Sequence, residues 1–450
     1  MRYKDHFKQT LHLSFPLVIG QIGQLSMSVA DNIMVGKLGA EALAAASIGN
    51  VLFHMIMVVG MGISMAITPL VAAAHGRGDH GHCGKILGQG LMVNMAWAWV
   101  LCTLTWKGAH WVHLLNPPRE IVAPAALYMK VLGLSLFPLM LFQTYRQFAE
   151  GVSFLRPAMV ITLVANGVNI FVNWVFIFGN LGAPALGLTG AGVATFSSRL
   201  FMALALVVVV MKSPSMEKFK PSLGTLHMDW PLVGRLLKIG IPGAFQYFFE
   251  VSAFAASAVM VGWMGTIELA AHQVVLNLAS ITFMVAMGIS SASTIRVGHA
   301  VGKDQWVDVR AAGFSAQMLS GVFMAMVGIC FILCRHIFPA FYVSDTQVIH
   351  MAGGLLVIVA FFQLSDGAQA VGVGMLRGIH DMKVPTLITL AAYWIIGLPS
   401  GYLLAFNLGM GIYGVWLGLL ISLTASALLM VGRFHLKTRP APLGAPAFHP

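Results

Sequence analysis

The sequence predicts an all-α integral membrane protein: twelve transmembrane helices in two six-helix lobes related by a pseudo-two-fold axis along the membrane normal. Three observations predict it. First, 58% of the 450 residues are apolar and only 9% are charged, against roughly 25% charged in an average soluble chain. Second, apolar runs near or above the ~20 residues needed to cross a bilayer recur along nearly the whole chain, and mean hydropathy is +0.83. Third, the second half repeats small-residue landmarks of the first at a constant spacing. So few charges cannot cover a soluble surface, which excludes a cytosolic enzyme, and so apolar a chain cannot remain disordered.

The apolar runs fall at 11–35, 43–73, 86–106, 121–144, 157–179, 188–211, 239–262, 268–295, 312–334, 347–376, 385–406 and 411–432. The opening residues MRYKDHFKQT lead into the first run with no small-residue cleavage site, so that run reads as a retained helix rather than a signal peptide. Glycine-rich pieces such as 179–182 and 262–265 mark tight turns. The polar stretch 212–232 carries prolines, serines and charges and separates the spans six from six. The expected organisation is an N-terminal lobe over 1–211, a cytoplasmic linker over 212–232, a C-terminal lobe over 233–435 and a disordered Pro/Ala-rich tail over 436–450. Four cysteines are too few for a disulfide framework, and all four read as unpaired.

The net charge of +11 is explained by topology rather than by a nucleic-acid partner. With the N-terminus in the cytoplasm, twenty Lys or Arg residues fall in inside segments, among them Arg146, Arg296, Arg310 and Arg433, and four fall outside: Lys37, Lys107, Arg119 and Arg335. That asymmetry is the positive-inside rule and places both termini in the cytoplasm. Lys130 and Arg199 lie within spans.

The repeat has an offset of 226: Pro16 and Pro242, Gly36 and Gly262, Gly39 and Gly265, and the identical Met61-Gly-Ile-Ser64 and Met287-Gly-Ile-Ser290. Parallel repeats of six spans are a transporter architecture. No GxxxxGK[ST] phosphate loop occurs, which leaves an ion gradient as the energy source.

Acids inside spans are costly and are functional candidates by default. Asp31, Glu250 and Asp366 qualify, with Glu150 at the inner end of the fourth span. Gln21, Gln24, Ser28 and Asp31 share one face of the first span; Asn166, Asn169 and Asn173 share one of the fifth; Ser47, Asn50 and His54 share one of the second. In the second half Gln246, Glu250 and Ser257 align, as do Gln273, Asn277 and Ser280, and Gln363, Asp366 and Gln369. The amides and serines also serve as interhelical glue. His272 reads as a satisfied interior histidine. His75, His80, His82 and Cys83 match no metal-ligand spacing and read as a solvated loop, so no metal site is expected there.

Val29-Ala-Asp31-Asn-Ile-Met-Val-Gly36, Gly151-Val-Ser with Arg156-Pro-Ala-Met159, Asn169 to Trp174, Phe248-Phe-Glu250-Val251, Ala270-Ala-His-Gln273, Ser293-Thr-Ile-Arg296-Val-Gly298 and Asp366 to Gly378 carry a resemblance. Over roughly 8–432 the chain resembles the multidrug and toxic compound extrusion (MATE) family, in its bacterial NorM-like branch. The resemblance implies a monomeric, multi-pass protein of the bacterial inner membrane, with no cofactor, that exports small organic cations in exchange for Na+ or H+ through a V-shaped outward-open state. It implies ion and substrate roles for Asp31, Glu250 and Asp366, with Asn169 and Asn173 joining the first, and no metal site beyond a possible Na+ at Glu250 and Asp366. Sodium-coupled relatives often carry a tyrosine four residues before the tenth-helix acid. Here that position is Phe362, which offers a cation–π face and no oxygen. A lipid-linked precursor flippase of the same superfamily is the alternative, although such proteins usually have fourteen spans and a cationic cavity. A membrane-embedded enzyme would need a clustered nucleophile and base, which the spans do not supply.

Overall fold

The structure, a computed structural model, describes residues 3–115, 118–219 and 227–439. All twelve expected spans form helices: α1 Asp5–Gly36, α2 Ala40–Gly76, α3 His80–His113, α4 Glu120–Gly151, α5 Arg156–Phe178, α6 Leu188–Lys212, α7 Trp230–Gly262, α8 Thr266–Gly302, α9 Trp306–Leu333, α10 Thr346–Gly378, α11 Lys383–Asn407 and α12 Ile412–Lys437. Most run past their apolar stretches because helical hydrogen bonding continues after hydropathy ends. Lys212 still belongs to α6, a short 3-10 turn covers Pro214–Phe219, and α7 begins at Trp230. Residues 220–226 of the expected linker and 440–450 of the expected tail lie outside the described residues.

Span α3 tightens into a 3-10 turn from Ala109, and α2, α4 and α11 are irregular within their lengths. In α2 the helix breaks between Ser64 and Ile67. In α4 it breaks at Ser135, which is buried. In α11 it widens into π-helical stretches at 391–397 and 403–407. Pro399, which has no N–H to donate, lies between them. Such wide turns rotate the side chains that follow and mark functional positions in many helices.

The sequence repeat is also a repeat of local geometry. The turn residues Gly78 and Asp304 both have positive φ (76° and 55°), as do Ser153 and His380 (63° and 62°) and Gly187 and Gly411 (55° and 57°). The Thr68 hydroxyl donates to the Gln147 carbonyl at 3.0 Å, and Thr294 donates to the Gly374 carbonyl at 2.9 Å. A Cβ added at Gly151 would stand 2.7 Å from Val71 Cβ; one added at Gly378 would stand 2.7 Å from Val297 Cβ. Neither valine can retreat, since Val71 and Val297 are fully buried. Gly378→Val is therefore expected to destabilise the protein by about 1–3 kcal/mol through overpacking, read as a lower unfolding temperature in detergent. An unchanged transition would show that this contact yields.

By packing, the chain forms two compact units. One holds 1–18 with 249–450, and the other holds 19–248, so the chain passes between units inside α1 and α7, close to Pro16 and Pro242. The core of the 19–248 unit gathers Phe53, Leu101, Tyr128, Met129 and Met140. The core of the other gathers Leu355, Leu356, Phe362, Tyr393, Trp416 and Leu419. Large apolar side chains such as Phe15, Trp99, Val259 and Met318 remain exposed, as lipid-facing helices require.

Among the described residues, two of the basic residues counted in inside segments are buried within helices rather than exposed. Arg146 is buried in α4 and pairs with Glu150 at 2.7 Å. Arg296 is buried in α8. The expected solvated loop of histidines is also corrected: His75 ends one helix and His80–Cys83 begin the next, with Cys83 fully buried. The His75 and His80 rings both pack edge-on against Phe219, at 5.5 and 4.8 Å.

Candidate functional site

In the 19–248 unit α1, α5 and α6 bring one acid and its partners together. Asp31 is half-buried. Asn173 Nδ2 donates to Asp31 Oδ1 at 2.6 Å and lies 3.1 Å from Asn169 Oδ1. The two asparagines are one turn apart on α5 and have no solvent exposure. Thr195 of α6 places its hydroxyl 3.3 Å from Asp31 Oδ2 and 3.0 Å from the Ala191 carbonyl. The Asn169 amide nitrogen and the Asn173 Oδ1 have no hydrogen-bond partner among the described residues. Asp31 thus sits at the end of a polar ladder that retains donor and acceptor capacity.

One turn beyond Thr195, Arg199 donates to Ser135 Oγ at 2.6 Å and lies over the Phe53 ring at 5.3 Å. The break in α4 supplies that serine. No carboxylate lies within ion-pair distance of Arg199 among the described residues, yet its charge acts on Asp31 through space.

Other expected residues of this half are placed differently. Asn166 is not free to line a cavity: its Nδ2 bonds the Gly23 carbonyl at 2.9 Å and the Thr162 carbonyl at 2.9 Å, which ties α5 to α1. Asn50 accepts from the Tyr128 hydroxyl at 3.3 Å. Gln24 is half-buried, Ser28 is exposed and Gln246 is buried.

In the unit holding 249–450, Glu250 of α7 and Asp366 of α10 are both buried, at 6% and 4% exposure, and their charges act on each other. Gln369, one turn beyond Asp366, points its Nε2 at Glu250 Oε2 at 3.4 Å. Its Oε1 has no partner among the described residues. Tyr393, buried on the first π-helical stretch of α11, is within electrostatic range of both acids, and its hydroxyl has no hydrogen-bond partner among the described residues. The stretch is anchored next door, where Trp394 Nε1 donates to the Phe249 carbonyl at 3.1 Å.

Aromatic rings pack beside these acids. Phe254 lies 6.3 Å from Phe362 and 6.0 Å from Tyr393, and Phe362 lies 5.6 Å from Trp416. His272 packs at a tilt against Trp416, ring centres 5.4 Å apart, and neither of its ring nitrogens has a hydrogen-bond partner among the described residues. It is therefore not the satisfied interior histidine that its setting suggested. Gln363 donates to Thr282 Oγ1 at 2.7 Å. Gln273 and Asn277 are exposed.

Thr195 and Tyr393 are the site residues that sequence reasoning missed. A lone threonine in an apolar span ordinarily bonds its own helix, and Thr195 does that as well. Tyr393 faces the acids because α11 is wound wide at that point, which residue spacing in a regular helix does not anticipate.

Comparison with known proteins follows the same plan. A family model described as MatE matches the chain twice, over residues 16–175 and 242–403, so its second match begins one repeat offset after the first. The chain is 34% identical over 449 residues to a probable multidrug resistance protein NorM of Mesorhizobium japonicum, covering 98% of this chain and 96% of that protein. It is 34% identical over 445 residues to the multidrug resistance protein MdtK of Yersinia pseudotuberculosis, covering 98% and 97%. Among solved structures, the eukaryotic MATE transporter AtDTX14 superposes with a TM-score of 0.87 at 21% identity, covering 97% of this chain and 99% of that one. An outward-facing multidrug resistance MATE family transporter superposes with a TM-score of 0.88 at 18% identity, covering 96% of each chain.

Proposed function

Because the chain belongs to the MatE family, we propose that it is a secondary active antiporter that exports organic cations in exchange for inward Na+ or H+. Family and fold make it a multi-pass membrane transporter that acts in multidrug efflux, of the kind found in the bacterial inner membrane. The coupling ion, the cationic nature of the substrates, a monomeric state and cytoplasmic termini are part of the proposal. So is the division into an N-terminal lobe over 1–211 and a C-terminal lobe over 233–435.

One observation carries the reading: two buried acids share an aromatic-lined corner with oxygen acceptors to spare. Two like charges in a poorly polarisable setting repel each other, and a cation or proton taken up there relieves that repulsion. Oxygen ligands suit a hard alkali cation, and Phe362 supplies none. The Tyr393 hydroxyl and the Gln369 carbonyl oxygen fill that role beside Glu250 and Asp366. An amphipathic drug cation competes for the same negative charge, with the rings of Phe254, Phe362 and Tyr393 offering cation–π and apolar contact. The acids cannot fully serve both cations, so ion entry loosens the hold on the drug. Membrane potential adds about 2.3 kcal/mol per net charge moved per 100 mV. No covalent step is needed.

The test is dye export from proteoliposomes under a pure proton gradient and, separately, under a pure sodium gradient. Export of a cationic dye under at least one gradient is expected. Export that follows neither gradient, or that prefers anionic dyes, overturns the proposal.

A further inference from the structure

The unit holding 1–18 and 249–450 contains a cavity with basic side chains in its lining, apart from the acids and with no role in the transport reading. It has a volume of about 430 Å³ and is bounded by the first turns of α1, the last turns of α8 and the start of α9. His6, Lys8, His12, Arg296, His299 and Lys303 line it, with Asp308 as its acid.

Arg296 forms its inner wall and is 7% exposed. Its Nη1 donates to the His6 carbonyl at 2.6 Å, to Thr10 Oγ1, and to Ser315 Oγ at 3.2 Å. Its Nη2 meets His6 Nδ1 at 2.6 Å and Gln9 Oε1 at 3.3 Å. Every one of these partners is neutral, and among the described residues Arg296 makes no ion pair within 4 Å. Asp308 instead faces His6 Nε2 at 3.4 Å. Lys8, Arg296 and Lys303 outnumber the single acid three to one in the lining, and both lysines are exposed at the rim.

The internal repeat provides a control. At the 226-residue offset, Arg296, His6 and Thr10 correspond to Leu70, Leu232 and Leu236. Leu232 and Leu236 are buried at 3% and 2% exposure. The equivalent positions of the other half are thus leucines, two buried and Leu70 half-buried, and the fold does not require a guanidinium there. A buried cation with no carboxylate within 4 Å, offset only by the longer-range pull of Asp308, carries a desolvation cost that an apolar residue avoids, so its presence in one half only points to a ligand of opposite charge.

We propose that this cavity binds a phosphate group, presented either by an anionic lipid headgroup or by a soluble phosphate compound. Arg296, whose Nη donors are taken by His6, Thr10, Ser315 and Gln9, supplies the fixed positive charge behind the site, and Lys8 and Lys303 hold the phosphate oxygens as ammonium donors. The volume is that of a small-molecule site, typically ~300–1,000 Å³, and exceeds the needs of a bare phosphate.

The test uses the full chain in detergent. Unfolding temperature is followed during titration with inorganic phosphate. Native mass spectrometry then measures retention of phosphatidylglycerol against phosphatidylcholine from mixed micelles. Lys8→Gln with Lys303→Gln, at exposed positions, is expected to weaken binding about tenfold or more, equivalent to one lost charged contact. Arg296→Leu, the residue of the sister half, is expected to abolish it. Saturable stabilisation by phosphate that the variants lose assigns a soluble ligand. Preferential retention of phosphatidylglycerol that they lose assigns a lipid headgroup. If wild type prefers neither probe, or if the double lysine variant binds as tightly as wild type, the proposal is overturned. The double variant decides the matter should Arg296→Leu fail to fold.

Discussion

Glu250→Gln combined with Asp366→Asn is expected to abolish gradient-driven export of a cationic dye while leaving the helices and their packing in place. Both substitutions nearly preserve volume and remove only charge. The two carboxylates are almost fully buried, so screening by salt and water is weak. A unit charge pair at 4 Å in an effective dielectric of 20 is worth about 4 kcal/mol, or nearly three decades in binding. Losing both acids removes the attraction for the drug cation and for the coupling ion together. The single variants are expected to be milder, because either acid alone still offers one negative charge beside the Tyr393 hydroxyl and Gln369. Proteoliposome export of the double variant should therefore be indistinguishable from protein-free vesicles, with an unfolding temperature near that of wild type. Intact export in the double variant would remove these acids from the mechanism.

Why these acids could be singled out beforehand, and their surroundings could not, is a matter of which physics leaves a trace in one dimension. The bilayer demands about twenty apolar residues per span, so twelve spans are visible as runs of hydropathy. An acid inside such a run stands out because it is costly there. Repeated small residues such as Gly62 and Gly288 stand where close helix contacts tolerate nothing larger: an added Cβ would collide with Ala244 at the first and with Val18 at the second. Hydrogen-bond partners across helices leave no such trace. Asn166 and Asn173 share one stripe of α5, yet one bonds the backbone of α1 and the other bonds Asp31. Tyr393 reaches the acids through a π-helical turn, and Arg296 is indistinguishable from a loop arginine until the first turns of α1 are seen to bury it. The passage of the chain between compact units within α1 and α7 is equally silent, because an apolar face does not name the helix that covers it.

Asp31→Asn is expected to separate the two candidate ions. The substitution keeps an oxygen that can accept from Asn173 Nδ2 at the 2.6 Å contact, and the Thr195 hydroxyl retains the Ala191 carbonyl as acceptor. Local geometry is therefore preserved, and what is lost is the ability to take up a proton and the negative charge that Arg199 faces. The two halves differ chemically at this point. The Asp31 site offers one acid within a ladder of amides and a hydroxyl, whereas the other site offers Glu250 and Asp366 beside the Tyr393 hydroxyl and the Gln369 carbonyl oxygen. A single acid among hydrogen-bond partners suits a proton, which needs one basic oxygen; a pair of acids with further oxygens suits a metal cation as well. On this reasoning Asp31→Asn loses export driven by a proton gradient by about tenfold or more, the equivalent of one charged contact, while sodium-driven export persists. Asp31→Glu retains the charge but displaces it from Asn173, and proton-driven export should recover in part. Equal losses under both gradients would mean that Asp31 serves the drug or the structure of its own half, and the division of labour between the halves would have to be abandoned. An unaffected proton-driven rate would instead place the proton on Glu250 and Asp366, where the double variant already predicts its loss.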